Sequence, residues 1–190
     1  MGRWQPNARE RLQGAALELF LQRGYENTTA AEIAERAGLA KSTFFRHFAD
    51  KREALFGGQD VLNRMFVDAI TGAPESATPI EALRAALLAA ATFFGPERRA
   101  WAQRRHTVVE ANSELREREL LKLAGLTAAI AGALRERGLA DPTASLAAEF
   151  GGLAFRNTFA RWIDPANHLD FADVARQELD GLRAATAALI

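Results

Sequence analysis

The chain has 190 residues, 24 cationic and 24 anionic side chains, and no cysteine. Disulfides and thiolate metal sites are therefore excluded, and no apolar run approaches the roughly 18 residues of a membrane helix. A hydrophobic share of 48% with 25% charged residues fits a globular protein large enough for one or two cores. Helical spacing runs through almost every segment, and no stretch alternates with β-branched enrichment, so the fold class is all-α. The first helix covers Ala8 to Arg23, burying Leu12, Ala15, Ala16, Leu19 and Phe20, and Gly24 stops it. Thr29 and Glu32 spell a capping box for a second helix that ends at Gly38. A third, short helix runs from Lys41 to Phe48, and a fourth from near Lys51 to Ile70 along Leu55, Leu62, Phe66 and Ile70. The TGAPESAT stretch at 71–78 is a loop. Thr78-Pro79 with Glu81 opens a fifth helix, and Gly95-Pro96 breaks it and opens a sixth, to about Ala111. Asn112 or Ser113 caps a seventh that ends at Gly138. Asp141-Pro142 opens an eighth, to about Ile163, and Asp170 caps a ninth that reaches the C-terminus.

Residues 24–53, GYENTTAAEIAERAGLAKSTFFRHFADKRE, carry the most specific signal. They spell a short helix, a glycine-containing turn and a second short helix, the layout of a helix-turn-helix. The neutral total charge conceals a local excess here. Between Arg36 and Arg52 the five cations Arg36, Lys41, Arg46, Lys51 and Arg52 face one anion, Asp50. A basic module on a mildly acidic body suits a protein that touches DNA with one end.

The run from Thr28 through Lys51 resembles the N-terminal DNA-binding domain of the TetR family of transcriptional regulators. The matching residues are Thr28-Thr29, Ile33-Ala34, Ala37-Gly38-Leu39, the octet Lys41 to Phe48, and Lys51. The resemblance implies a DNA-binding domain over residues 1–50 and a ligand-binding and dimerisation domain over 51–190, linked by the fourth helix. It further implies DNA contacts from Thr29, Lys41, Ser42, Thr43, Phe45, Arg46, His47 and Lys51. Lys51, at the start of the fourth helix, and an outward-facing His47 would meet backbone phosphate. Phe44 and Phe48, four apart, form scaffold. Two positions depart from the family pattern. Ala40 stands where a capping serine is usual, at a cost of about 1 kcal/mol. Phe45 replaces a tyrosine and so loses a phosphate hydrogen bond. Arg3 and Arg9 are left outside the site, although an N-terminal arm can enter a minor groove.

The C-terminal region concentrates aromatics on the fifth, sixth and eighth helices. In a bundle these form core or wall an apolar pocket. Phe94, Trp101, Phe155 and Phe159 are the pocket candidates, with Arg105 as a partner for an anionic ligand group. Salt bridging of the sixth-helix arginines to Glu110, Glu114 or Glu117 is the plainer alternative. The segment Arg104 to Leu121, RRHTVVEANSELRERELL, resembles regulators of the mycofactocin-system type, whose ligand domain is associated with acyl-CoA. The eighth helix clusters small residues at Ala147, Ala148, Gly151, Gly152 and Ala154. In the family the eighth and ninth helices of two subunits form the dimer interface.

No enzyme is expected. His47, His106 and His168 show no partner at metal or triad spacing, and no cofactor or metal is implied. Met1 to Glu10 hold no apolar run of the signal-peptide kind, so a cytoplasmic protein is expected. The sequence thus points to a ligand-responsive regulator, most simply a repressor. Its partners would be a double-stranded operator, an apolar or acyl-CoA-like effector, and a second copy of itself. A helical small-molecule-binding protein with a weakened DNA domain is the alternative.

Overall fold

The computed structural model describes residues 7–189, so Arg3 and Ile190 lie outside the described residues. Among those residues it contains nine α-helices, one short 3-10 turn and no strand. They divide into two compact units. One takes the chain to Gly58 together with Arg104–Glu119, and the other takes Gln59–Gln103 and the chain from Leu120.

In the first unit, α1 (Ala8–Arg23) is capped by Asn7, whose side chain accepts the Glu10 N–H at 3.0 Å. Its end is Gly24, at φ 83, a conformation that favours glycine. α2 (Ala30–Arg36) carries the expected capping box from Thr29 and Glu32. Gly38, at φ 65, turns the chain into α3 (Lys41–His47). Phe48 has left the helix, at φ −138. Leu12, Ile33 and Phe44 are fully buried where these helices meet.

The expected fourth helix from Lys51 is corrected. A 3-10 turn spans Arg52–Ala54, and α4 (Gln59–Thr71) begins only at Gln59. Asp50 starts the 3-10 turn by accepting the N–H groups of Arg52 and Glu53 at 2.9 and 3.1 Å. Gly58, at φ 107, is incompatible with a helix running through it. Ala54, Leu55 and Phe56 are buried, and the N-terminal stretch of the first unit runs to Gly58.

In the second unit α4 packs against α5 (Pro79–Ala91), which opens with the Thr78–Glu81 capping box. α6 (Pro96–Glu110) starts in this unit and ends in the first. α7 (Ser113–Glu136) does the reverse. α8 (Asp141–Ile163) and α9 (Phe171–Ala187) complete the bundle around Phe66, Leu83, Leu126, Ile130, Phe155 and Trp162. Arg137 closes the 71–78 loop by donating to the carbonyls of Ile70, Ala73, Pro74 and Ala77. No helix among the described residues is long and apolar enough to cross a membrane.

Candidate nucleic-acid interface

α3 is held by its aromatic inner face. Phe44 is fully buried, its ring lies 5.5 Å from that of Phe48, and Phe45 stands edge-on to it at 5.4 Å. The side chains of Lys41, Ser42, Phe45 and Arg46 are exposed and Thr43 is half-buried. Half of Phe45 remains open to solvent, with the Lys41 ammonium 6.0 Å from its ring. Ala40 holds the N-cap backbone geometry and offers no capping side chain.

The five cations counted along this segment are not equivalent. Arg36 is paired with Glu18 at 3.2 Å and also donates to Gln22. Arg52 is paired with Asp50 at 2.6 Å and Glu114 at 3.0 Å. The Lys51 ammonium donates to the carbonyls of Tyr25 and Glu26, at 2.8 and 3.4 Å, and sits 4.1 Å above the Tyr25 ring. Lys41 and Arg46 have neither an ion pair nor a hydrogen bond among the described residues. The positive field that sequence counting spreads over the whole segment is thereby concentrated on α3.

Protonation follows these contacts. The hydrogen bonds and charge of Asp50 hold the Arg52 guanidinium above its ordinary value. Partial burial pushes the Asp50 carboxyl upward, but hydrogen bonds from Arg52 and the Glu53 backbone outweigh it and lower it. The Thr29 backbone and hydroxyl lower Glu32 in the same way. Thr29 is thereby occupied: its hydroxyl donates to Glu32 at 2.8 Å while accepting the Glu32 N–H.

His47 departs from its expected outward placement. It is half-buried beside the Phe48 ring, and its Nε2 is buried without a hydrogen-bond partner among the described residues.

The residues marked for an effector are divided between the units: Arg105 belongs to the first, and Phe94, Trp101, Phe155 and Phe159 to the second. Phe94 stacks on Phe171 at 4.5 Å and meets Phe155, Phe159 and Trp162 at 5.5–5.9 Å. These rings are packed core in the second unit. Trp101 is half-buried on α6. Arg105 belongs to the first unit, where its side chain is 11% exposed. It pairs with Glu119 at 2.7 Å, donates to the Leu55 carbonyl at 2.8 Å and lies 4.7 Å from the Phe56 ring. The salt-bridge alternative therefore applies to Arg105, with Glu119 in place of the three carboxylates expected. An open groove of about 480 Å³ lies instead between α7 and α8, lined by Leu120, Leu123, Thr127, Arg135, Glu149 and Arg156 among others.

Contrary to expectation, one histidine does have partners at metal spacing. His106, Glu110 and Glu119 bring one ligand atom each within 4.8 Å of one another. The four-residue spacing of His106 and Glu110 on one helix was the available signal. Glu119 joins them only because α7 folds back on α6.

Comparison with known proteins agrees with this geometry. The profile of the bacterial regulatory proteins of the tetR family matches residues 14–56, and that of the MftR C-terminal domain matches residues 77–187. The regulator TcmR of Streptomyces glaucescens is 40% identical over 81 residues, which are 43% of this chain and 36% of that protein. The regulator MftR of Mycobacterium tuberculosis is 30% identical over 93 residues, 49% of this chain and 47% of that protein. The chain thus spans less than half the length of these curated relatives. The crystal structure of Thermus thermophilus FadR, a TetR-family repressor in complex with lauroyl-CoA, aligns with a TM-score of 0.53 at 25% identity. That alignment covers 92% of this chain and 93% of the other. With a helix-turn-helix unit that carries unpaired Lys41 and Arg46 on α3, followed by an MftR-type helical domain, the chain belongs to the TetR family of transcriptional regulators.

Proposed function

We propose that this chain is a ligand-responsive repressor that a small molecule releases from a near-palindromic operator. The observation that carries the reading is the pair of uncommitted cations, Lys41 and Arg46, beside an exposed Phe45 on α3. With Arg36 and Arg52 paired to carboxylates, the unpaired charges of Lys41 and Arg46 make α3 a face that attracts phosphate. Ser42, Thr43 and Arg46 then reach base edges, and Phe45 packs on a sugar or a thymine methyl. Thr29, His47 and Lys51 complete the DNA set, with Lys51 exchanging its hold on the Tyr25 and Glu26 carbonyls for phosphate.

In the proposed homodimer α8 and α9 of two copies pack together. The exposed Leu146 and Leu153, seven apart on α8, support such a face. Two α3 helices about 34–36 Å apart would enter successive major grooves. The effector is apolar or acyl-CoA-like. Support comes from FadR, a structural relative bound to lauroyl-CoA. Phe94, Phe155 and Phe159 would line its acyl end by parting from one another, with Trp101 nearer the polar end. The shift in operator affinity cannot exceed the effector's preference between the two states, typically about 1–3 kcal/mol.

The test is fluorescence anisotropy on the duplex upstream of the chain's own gene, with nonspecific DNA as competitor and long-chain acyl-CoA as titrant. Specific binding followed by release is expected. Failure to enrich any duplex from a random pool sinks the regulator reading. Specific binding that acyl-CoA leaves untouched sinks the effector class alone.

A further inference from the structure

The end of α6 and the beginning of α7 hold a side-chain cluster that DNA binding does not use. His106 and Glu110 lie one turn apart on α6, on one face, and Glu119 reaches toward them from α7. One ligand atom from each lies within 4.8 Å of the other two. Two ligands about 2.1 Å from a common ion stand about 3.4–4.2 Å apart, so small side-chain rotations close the set.

Two observations distinguish this cluster from an ordinary exposed ion pair. First, its donor atoms are uncommitted. Among the described residues the His106 ring and the Glu110 carboxylate have no hydrogen-bond or ion-pair partner, although each is within reach of the other acidic groups. Second, Glu119 is held in place from behind. Its Oε1 accepts Arg105 Nη1 at 2.7 Å, which leaves the other oxygen free. Arg105 is itself fixed by the Leu55 carbonyl and the Phe56 ring. A ligating carboxylate oriented by a fixed hydrogen-bond donor is the usual second shell of a metal site. The charge also favours a cation: two carboxylates outweigh one guanidinium, and the C-terminal end of α6 adds its negative pole.

We propose that His106, Glu110 and Glu119 bind a divalent first-row transition ion of the Zn2+ class. One imidazole nitrogen and two carboxylate oxygens suit such an ion better than Mg2+ or Ca2+, which take oxygen ligands throughout. With three protein ligands, the remaining positions fall to water. The ion ties the last turn of α6 to α7 within the unit that carries α3. It would make the stability of that unit metal-dependent.

The experiment needs neither DNA nor acyl-CoA, so it stands or falls apart from the repressor reading. The full chain, stripped by chelator, is titrated with Co2+ and followed in the visible region, then with Zn2+ by calorimetry. One site per chain is expected, with a Co2+ band that Zn2+ displaces and Mg2+ does not. H106A, E110Q and E119Q should each weaken Co2+ binding by at least about tenfold. H168A, at the exposed histidine of the α8–α9 connection, should leave it unchanged. E110Q alters an exposed carboxylate and keeps the fold, so its result stands if H106A fails to fold. Absence of a Co2+ band and of Zn2+ heat at millimolar ion overturns the proposal. So does binding that E110Q and E119Q leave undiminished, or equal affinity for Mg2+.

Discussion

Tyr25 donates its phenolic hydrogen to Oε1 of Glu114 at 3.2 Å, and Arg52 Nη1 reaches the same oxygen at 3.0 Å. One carboxylate at the start of α7 thus joins the α1–α2 turn to the 3-10 turn after α3, all inside the first unit. Tyr25→Phe keeps the ring under Lys51 and removes only the hydroxyl. Because Glu114 retains Arg52, the loss should be modest, about 0.5–1.5 kcal/mol by urea denaturation. Burial and the adjacent Glu114 raise the Tyr25 ionisation above its ordinary value. The neutral phenol is therefore favoured in the folded state. Its contribution is complete below about pH 10, the unfolded value, and is lost as pH rises beyond that toward the raised folded value. The stability gap between wild type and Tyr25→Phe should shrink between pH 9 and strongly alkaline buffer. A gap that widens would reverse the assigned sign.

Ala40 already has the backbone of an N-cap, at φ −70 and ψ 148, and lacks only the acceptor. Ala40→Ser should stabilise α3 by about 1 kcal/mol. The melting temperature should rise, and operator affinity should rise with it as less ordering is left to binding. An unchanged melting temperature would show that α3 is fixed by Phe44 and Phe48 alone.

Local chemistry explains which parts of the fold were readable from residue order. The Thr29–Glu32 and Thr78–Glu81 boxes, the Asp170 cap and the glycines at 24, 38 and 138 act within a few residues, and each appears where the sequence puts it. The break at Gly58 was masked because Leu55, Leu62, Phe66 and Ile70 keep helical spacing across it. The charge count was misleading because Arg36 and Arg52 are answered by Glu18 and Glu114, which lie on other helices. Phe94, Phe155 and Phe159 illustrate a further limit. The composition that lines an apolar pocket also fills a core, and only packing separates them.

The cation assignments predict distinct salt responses. Lys41→Ala and Arg46→Ala should weaken operator binding. Each that meets a phosphate should reduce the slope of log affinity against log salt by about 0.9. Arg36→Ala, whose charge is already met by Glu18, should leave the slope unchanged. Lys51→Ala is the informative fourth variant. It should lower stability through the lost Tyr25 and Glu26 carbonyl contacts, and lower the slope if the ammonium also reaches DNA. Stability loss without a slope change would assign Lys51 to the scaffold.

Glycine substitutions separate close helix approach from simple permissiveness. At Gly151 an added Cβ would sit 2.7 Å from Cδ2 of Leu83, which is fully buried on α5. Gly151→Ala should therefore force α8 away from α5 and cost about 1–3 kcal/mol as an overpacked core. At Gly132 in α7 an added Cβ meets nothing within 4 Å. The same substitution there removes a flexible residue from a helix interior and should stabilise by about 0.5–1 kcal/mol. Urea denaturation of the two variants should displace the midpoint in opposite directions. If both move the same way, helix propensity rather than the Leu83 contact governs Gly151, and the close α5–α8 approach tolerates a methyl group.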